Sequence, residues 1–290
     1  MSLHSSILIL GNRGFIGSVV FRTLCARYGE RVRGFSSNDL DLVDEKSIVT
    51  LSKHCSPETA LVVVSGIRDH SLDAFEKNVS MIVHVGESLE KQPVVQCIYL
   101  SSMSVYGGSP KRGKITEKSP LNLDSLSALG KYSGEAILEK ACSETKTPLL
   151  ILRLPRVYGH GDAHANYGPA AFVEGIAARG EITLYGDGEE LREFLHVEDL
   201  ANVVDASMSA KNHGVINVVS GVSHSFAEAA KILRRIAKKP FTVHNLPRSG
   251  EPFDEHYDNA TFRTIFPNYS FTPLEQGLRS ACQMAGLEVE

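Results

Sequence analysis

Gly11, Gly14 and Gly17 stand three apart directly after an apolar run, Ile7-Leu-Ile-Leu10. The apolar residues that follow (Phe15, Ile16, Val19, Val20, Leu24) recur at helical spacing. A strand, a glycine turn and a helix in that order build an anion site. The helix start offers unpaired backbone N–H groups and the positive end of its dipole, and glycines let a pyrophosphate approach the main chain. The chemistry implied is the backbone holding of a phosphate-bearing ligand, with Asn12, Arg13, Phe15 and Ile16 in the same turn.

A regular scaffold has to position that turn. Short apolar runs at 7–10, 32–35, 61–65, 97–101 and 149–152 alternate with helical patterns near 14–28, 44–54, 72–91 and 125–143. Such alternation predicts an α/β fold with a parallel sheet covered on both faces. Ligands of such sheets sit beyond the carboxyl ends of the strands. The strand tails at 11–17, 36–41, 65–68, 101–106 and 155–161 are therefore expected around one crevice. From about residue 161 glycine and proline become frequent and the alternation lapses. The expected division is a domain over 1–160, rejoined by 192–218 with a helix near 196–210, and a smaller α/β substrate-binding region over 161–290.

The chain has 290 residues, 42% hydrophobic and 22% charged, long enough for one large or two modest domains with a proper core. A formal net charge of −4 argues against nucleic acid or an acidic membrane as partner. Cys25, Cys55, Cys97, Cys142 and Cys282 show no Cys-x-x-Cys spacing and no even count, which fits reduced thiols and argues against both a zinc site and a disulfide framework. The apolar run near the N-terminus is too short, and lacks the basic flank, to be expected as a signal peptide, and no apolar stretch approaches membrane-spanning length. A soluble, cytoplasmic protein without a metal is expected.

Seven blocks in order resemble the extended short-chain dehydrogenase/reductase superfamily, in its nucleotide-sugar epimerase, dehydratase and reductase branch. They are Gly11-Asn-Arg-Gly-Phe-Ile-Gly17, Tyr99-Leu-Ser-Ser-Met-Ser-Val-Tyr-Gly107, Ile151-Leu-Arg-Leu-Pro-Arg-Val-Tyr-Gly159, Leu184-Tyr-Gly-Asp-Gly188, Arg192-Glu-Phe-Leu-His-Val-Glu-Asp199, Gly214-Val-Ile-Asn-Val-Val-Ser-Gly221 and Arg248-Ser-Gly-Glu-Pro252. The resemblance implies a Rossmann-type domain with a doubly wound parallel sheet that binds NAD or NADP, and a C-terminal part that binds the nucleoside diphosphate of an activated sugar.

An acidic residue about 20 residues beyond the glycine turn holds the ribose of NAD. Here Phe35-Ser36-Ser37 carries no carboxylate, which leaves room for a 2′-phosphate that Arg13 can meet. The local pattern is similar to that of NADP-dependent nucleotide-ketosugar reductases, which implies Asp41 on the adenine amino group and Leu42 on the ring. NADP is expected over NAD, with Ser36, Ser37, Ser65, Gly66, Lys131 and Pro155 completing the cofactor contacts.

By the same resemblance Ser102 holds the substrate oxygen, with Ser104 as its neighbour, and Lys131 is the lysine of the family's Tyr-x-x-x-Lys. The tyrosine of that motif is replaced by Ser127, whose aliphatic hydroxyl is shorter and far less acidic than a phenol. Tyr132, next to Lys131 but on another face of the helix, is expected to pack. Proton transfer is thereby separated from hydride transfer as the open question, and His160 is a further candidate donor. Met103 and Ser104 stand where the dehydratase branch has an Asp-Glu pair, which argues against dehydration.

On the substrate side the resemblance places Arg192 and Arg248 on a diphosphate, Arg156 as a third contact, and Tyr167 nearby. Guanidinium suits this work because it stays charged and presents paired donors to phosphate oxygens. The run 187–190 and Lys238-Lys239 read as solvated turns. Three functions stay open: an NADP-dependent ketoreductase on a nucleotide-activated keto-sugar, an epimerase with tightly held NAD(P), and a dinucleotide-binding protein with little turnover. A homodimer through the helices at 72–91 and 125–143 is expected from the resemblance.

Overall fold

The computed structural model describes residues 4–108, 113–162, 167–210, 212–248, 250 and 253–290. Its first elements are β1 (Ser6–Leu10), α1 (Phe15–Tyr28), β2 (Val32–Phe35), α2 (Ser47–His54), β3 (Thr59–Val63), α3 (Leu72–Lys91) and β4 (Gln96–Ser102). They are followed by α4 (Leu126–Thr145), β5 (Leu149–Leu154), β6 (Arg156–Tyr158), α5 (Pro169–Arg179), β7 (Glu181–Tyr185), β8 (Leu191–Arg192), β9 (Phe194–His196) and α6 (Val197–Ala210). The chain ends with β10 (Gly214–Asn217), β11 (His224–Ser225), α7 (Phe226–Ile236), β12 (Thr242–Leu246), α8 (Ala260–Ile265) and α9 (Leu274–Met284).

Two compact units emerge. The first takes the described residues of Met1–Gly107, Ser119–Leu154 and Leu200–Val218. Its six-stranded sheet runs β10-β5-β4-β3-β1-β2 and is parallel throughout. The strands are apolar almost without alternation because both faces are covered, as in Thr59–Val63, where every residue is buried. Since β1 lies between β2 and β3, the winding reverses at β1, and the loop after Leu10 sits at that switch point. Leu10 is level with both Phe35 and Val63, so three strand tails end together.

The core on one face packs Leu8, Leu10, Leu61 and Val63 against Ile82, Val85 and Leu89 of α3 and Leu138 of α4. Ser71 and Ser125 start these two helices, each hydroxyl accepting from the N–H three residues on at 3.2 Å. The cap at Ser125 puts Ser127 in the first turn of α4 and Lys131 one turn later. β3 begins two residues earlier than the 61–65 expected, because Thr59 is fully buried and pairs with Ser6, and Ser65 already lies in the loop.

The second unit holds the described residues of Gly108–Lys118, Pro155–Asp199 and Val219–Glu290. The division therefore differs from the boundary at 160 read from sequence. β6 does not join the six-stranded sheet but pairs in parallel with β9, and Ile115 bridges to Tyr257. The sixth strand of the sheet is instead β10, paired with β5. The core of the second unit gathers Phe172, Ile176, Phe226, Leu233 and Leu278 from α5, α7 and α9. Among the described residues no helix is long and apolar enough to cross a membrane, and no cluster of His, Cys, Asp or Glu could hold a metal ion.

Candidate functional site

In the first unit the glycine turn is tied to β2. The N–H groups of Gly11 and Asn12 donate to Phe35 O at 2.7 and 3.3 Å, and that of Gly14 donates to Gly11 O at 3.2 Å. Helix α1 then starts with no side-chain cap and no acidic residue in its first turn. A Cβ on Gly17 would stand 1.9 Å from Gly11 O, so packing of helix on turn demands glycine there. A Cβ on Gly14 would meet nothing nearer than 3.6 Å. Packing does not require that glycine, and an anion approaching the uncapped helix start does. A pyrophosphate over Gly14, Phe15 and Ile16 therefore fits the turn.

The tail of β2 corrects the sequence reading. Ser36, which is buried, donates from its N–H and its hydroxyl to Asp39 Oδ2 at 3.0 and 2.6 Å. These bonds hold the Asp39 carboxyl below its ordinary range, and the charges of Arg13 and Arg33 lower it further. An acid thus stands at this strand end, two residues beyond Ser37. Its sequence signal is Ser-x-x-Asp, a side chain folding back on a turn. Arg13 and Ser37 are exposed, and Asp41 accepts from Val43 N at 3.0 Å. Leu42 is buried in the core with Leu40 instead of lying open to an adenine ring.

Beyond β3, Ser65 backs the glycine turn, and Asn78 of α3 clamps the loop by two bonds to Ile67, 2.8 Å to its N–H and 3.0 Å to its carbonyl. A Cβ on Gly66 would lie 3.9 Å from Lys131 Nζ. The structure thus brings Gly11, Ser65, Gly66 and Lys131 together. Lys131 Nζ donates to Leu100 O at 2.8 Å and lies over the Tyr99 ring. Burial pushes this ammonium down to about 8 against the opposing charge of Glu135. Ser102 Oγ accepts from Ser104 N at 3.1 Å, which leaves its proton free to be donated. Ser104 Oγ is buried without a partner.

Ser127 is exposed on α4. Tyr132 does not pack as expected; it is 38% exposed. Tyr99 and Tyr106 are sealed in the core, and burial raises the Tyr99 phenol above its ordinary value. Sequence reasoning missed a buried network beside these residues. Glu135 accepts from Ser101 Oγ and from Arg153, and Arg153 also donates to Tyr106 OH at 2.8 Å. The available signals were Glu135 four residues after Lys131 and a charge inside the apolar run Ile151-Leu-Arg-Leu154.

The second unit contains Pro155, His160 and the substrate-side residues. His160 is part-exposed, with Nδ1 3.6 Å from Glu174 Oε1. Arg156 is exposed and lies over the Phe226 ring at 5.7 Å, and Tyr167 stacks on that ring with centroids 4.3 Å apart. Arg192 is only 3% exposed. Its Nη1 donates to the carbonyls of Leu191 and Phe253 at 2.8 and 2.6 Å, and Glu255 Oε1 lies 3.3 Å from its Nε. Arg248 grips Glu189 with both Nη atoms, at 2.9 and 3.0 Å, and also donates to Tyr185 O at 3.2 Å. The run 187–190 is thus no plain solvated turn, since Glu189 and Glu190 engage the expected phosphate arginines. Ser249, Glu251 and Pro252 of the Arg248 block lie outside the described residues.

The chain is similar to known proteins. A putative UDP-glucose 4-epimerase of Methanocaldococcus jannaschii is 24% identical over 87% of this chain and 89% of its own length. A dTDP-4-dehydro-6-deoxy-D-allose reductase of Streptomyces bikiniensis is 24% identical over 81% and 82%. The crystal structure of UDP-glucose 4-epimerase from Brucella ovis in complex with NAD superposes with a TM-score of 0.85 at 20% identity, covering 99% of this chain and all of that one, a likeness of fold. Residues 7–219 match the model of the NAD dependent epimerase/dehydratase family, and the chain belongs to that family.

Proposed function

We propose that this enzyme reduces a keto group on a nucleotide-activated sugar, with NADPH as the reductant. The chemistry a bound nicotinamide dinucleotide supplies is reversible hydride transfer. The glycine turn would hold its pyrophosphate, and Lys131, beside Gly66, would hold its ribose. The observation that carries the direction is the protonation of the groups at the end of β4. Ser102 has its proton free, and Lys131 carries most of its protons at neutral pH. Both are donors to a developing alkoxide, as reduction requires, whereas oxidation of an alcohol asks first for a base.

Charge supports the 2′-phosphate form of the cofactor. Two guanidiniums, Arg13 and Arg33, bear on the carboxylate of Asp39, which Ser36 already holds by two hydrogen bonds, and Arg13 is exposed at the turn where a 2′-phosphate would meet it. Arg156, Arg192, Arg248 and Tyr167 would take the sugar nucleotide's diphosphate. A cytoplasmic homodimer paired through α3 and α4 is in keeping with the exposed Leu72, Leu129 and Tyr132 on those helices.

Epimerisation is the second reading, favoured by Lys131 itself, since near pH 8 about half of its side chains are neutral and able to accept a proton. The test is to incubate the purified enzyme and NADPH with a panel of nucleoside-diphosphate keto-sugars. Loss of the reduced nicotinamide absorbance matched by alcohol formation is the expected result. Interconversion of sugar epimers without net oxidation of NADPH would instead establish the second reading.

A further inference from the structure

Beside the Arg248–Glu189 contact the buried Nε of Arg248 makes no hydrogen bond, and that of Arg192 makes none either, having only the ion-pair contact of Glu255 Oε1 at 3.3 Å. Between them lies Glu190 Oε1, 3.5 Å from Arg192 Nη2 and 3.7 Å from Arg248 Nε, close enough to neutralise but too far to hydrogen-bond well. A buried donor left unmet costs free energy, and a ligand oxygen set between the arginines removes that cost. Glu189 differs from its neighbour. Its side chain is 55% exposed, against 12% for Glu190, so it can turn into water with little loss.

We propose that Glu189 is an internal counter-anion, which holds Arg248 in the ligand-free enzyme and is displaced by a phosphate group of the ligand. The inference rests on the nucleoside-diphosphate reading above for the ligand's identity. The exchange is like for like, because a guanidinium presents the same paired N–H groups to a carboxylate and to a phosphate. Arg248 does not need Glu189 to keep its place. Its Nη2 stays on Tyr185 O at 3.2 Å, and the turn below it is built around Gly186, whose φ of +59° and lack of Cβ leave room for the guanidinium. A Cβ at position 186 would come within 2.9 Å of Nη2. Glu190, more enclosed, stays as the fixed partner of both arginines. The consequence is selection: a ligand with a weak or singly charged anion does not repay the loss of Glu189, whereas a diphosphate does.

The test is calorimetric titration of the full-length enzyme with inorganic pyrophosphate and, separately, with UDP, GDP and dTDP at fixed salt. The proteins are the wild type, Glu189→Gln, Arg248→Met, the double variant, and Glu228→Gln as a control for net charge. Glu189→Gln is expected to bind pyrophosphate about fivefold more tightly, the scale of a half-exposed ion pair. That gain should vanish in the Arg248→Met background and be absent in Glu228→Gln. Unchanged or weaker binding by Glu189→Gln, a gain that survives loss of Arg248, or no binding of any probe overturns the proposal. Tighter pyrophosphate binding with no nucleoside diphosphate bound by any variant would uphold the counter-anion and discard the nucleotide reading. Nucleotide binding indifferent to Glu189→Gln would do the reverse.

Discussion

Arg153 and Glu135 meet in a two-pronged ion pair inside the first unit, with Nε donating to Oε1 at 3.0 Å and Nη2 to Oε2 at 2.7 Å. Both side chains are buried, and every further bond ties in another element. Ser101 on β4 donates to Glu135, while Tyr106 takes a bond from Arg153 and gives one to Asn217 on β10 at 2.8 Å. The pair therefore fixes α4 against β4 and β5. It does so one residue from Ser102 and one turn from Lys131, which makes Glu135 and Arg153 positioning residues for both.

Removing one partner of such a pair leaves the other charge buried alone, at a cost of about 3–5 kcal/mol. Arg153→Met should lower the unfolding free energy by that order in urea titrations of the first transition. Arg153→Met combined with Glu135→Leu should recover at least half, because a buried pair replaced whole by apolar groups is close to neutral. A double variant as unstable as the sum of the two single ones would mean the residues do not act as a pair.

The same network shows what the sequence could and could not disclose. The sheet, the glycine turn and Lys131 were legible because each leaves a local mark: continuous apolar runs, a glycine spacing, and a lysine at the family motif's place on a helix. Arg153, Glu135 and Asn217 were not, since their partners are brought together by strand order, with β10 laid beside β5 from far along the chain. Asp39 and Glu189 escaped for a different reason. Each is an exposed carboxylate whose meaning lies in the direction of its side chain, toward Ser36 and Arg248, and a sequence of solvated residues carries no record of that direction.

Gly17→Ala should disrupt the anion site through backbone alone. Its methyl group would fall 1.9 Å from Gly11 O, and a backbone carbonyl cannot swing aside as a flexible side chain can. The helix start must retreat, so binding of reduced dinucleotide followed by nicotinamide fluorescence should fall at least tenfold. Gly14→Ala should leave folding nearly unchanged, since packing there is open, and yet weaken binding. Equal thermal stability and equal binding in both variants would place the ligand elsewhere.

Arg13→Ala should separate the two cofactors. A guanidinium that meets a phosphate is worth about 1.5–3 kcal/mol, so loss of NADPH affinity should be at least tenfold, with NADH little changed. Asp39→Asn should move the balance the other way, easing NADPH by removing a negative charge beside Arg13. Titrations showing tighter NADH than NADPH in the wild type would reject the preference.

Lys131 should leave a mark on stability at alkaline pH. Its folded value, about 8, lies below the ordinary 10.5 because burial disfavours the ammonium. Between these values the unfolded chain holds a proton that the native one does not, so the contribution of Lys131 to stability rises with pH across that window. Below pH 8 the burial penalty is fully present. Lys131→Met escapes it, and its stability advantage over the wild type should shrink by up to ~3 kcal/mol between pH 8 and 10.5 in urea titrations. A constant difference would mean the ammonium is as well solvated as any surface lysine.

Turnover should distinguish the donors from the bystander on α4. Ser102→Ala and Lys131→Ala each remove a proton-bearing group, and general acid work of this kind contributes roughly 10²–10⁴-fold. Ser127→Ala should stay within about threefold of the wild type, because an exposed hydroxyl of alcohol acidity neither gives up its proton nor holds a fixed place. If Lys131 supplies the proton, the reductive rate must fall as pH rises through about 8, where the donor is lost. Ser127→Tyr adds a phenol one turn from that ammonium, whose charge lowers the phenol's pKa and lets it share the task. The alkaline limb should then move to higher pH, whereas an unchanged profile in Ser127→Tyr together with a large loss in Ser127→Ala would assign proton transfer to the serine itself.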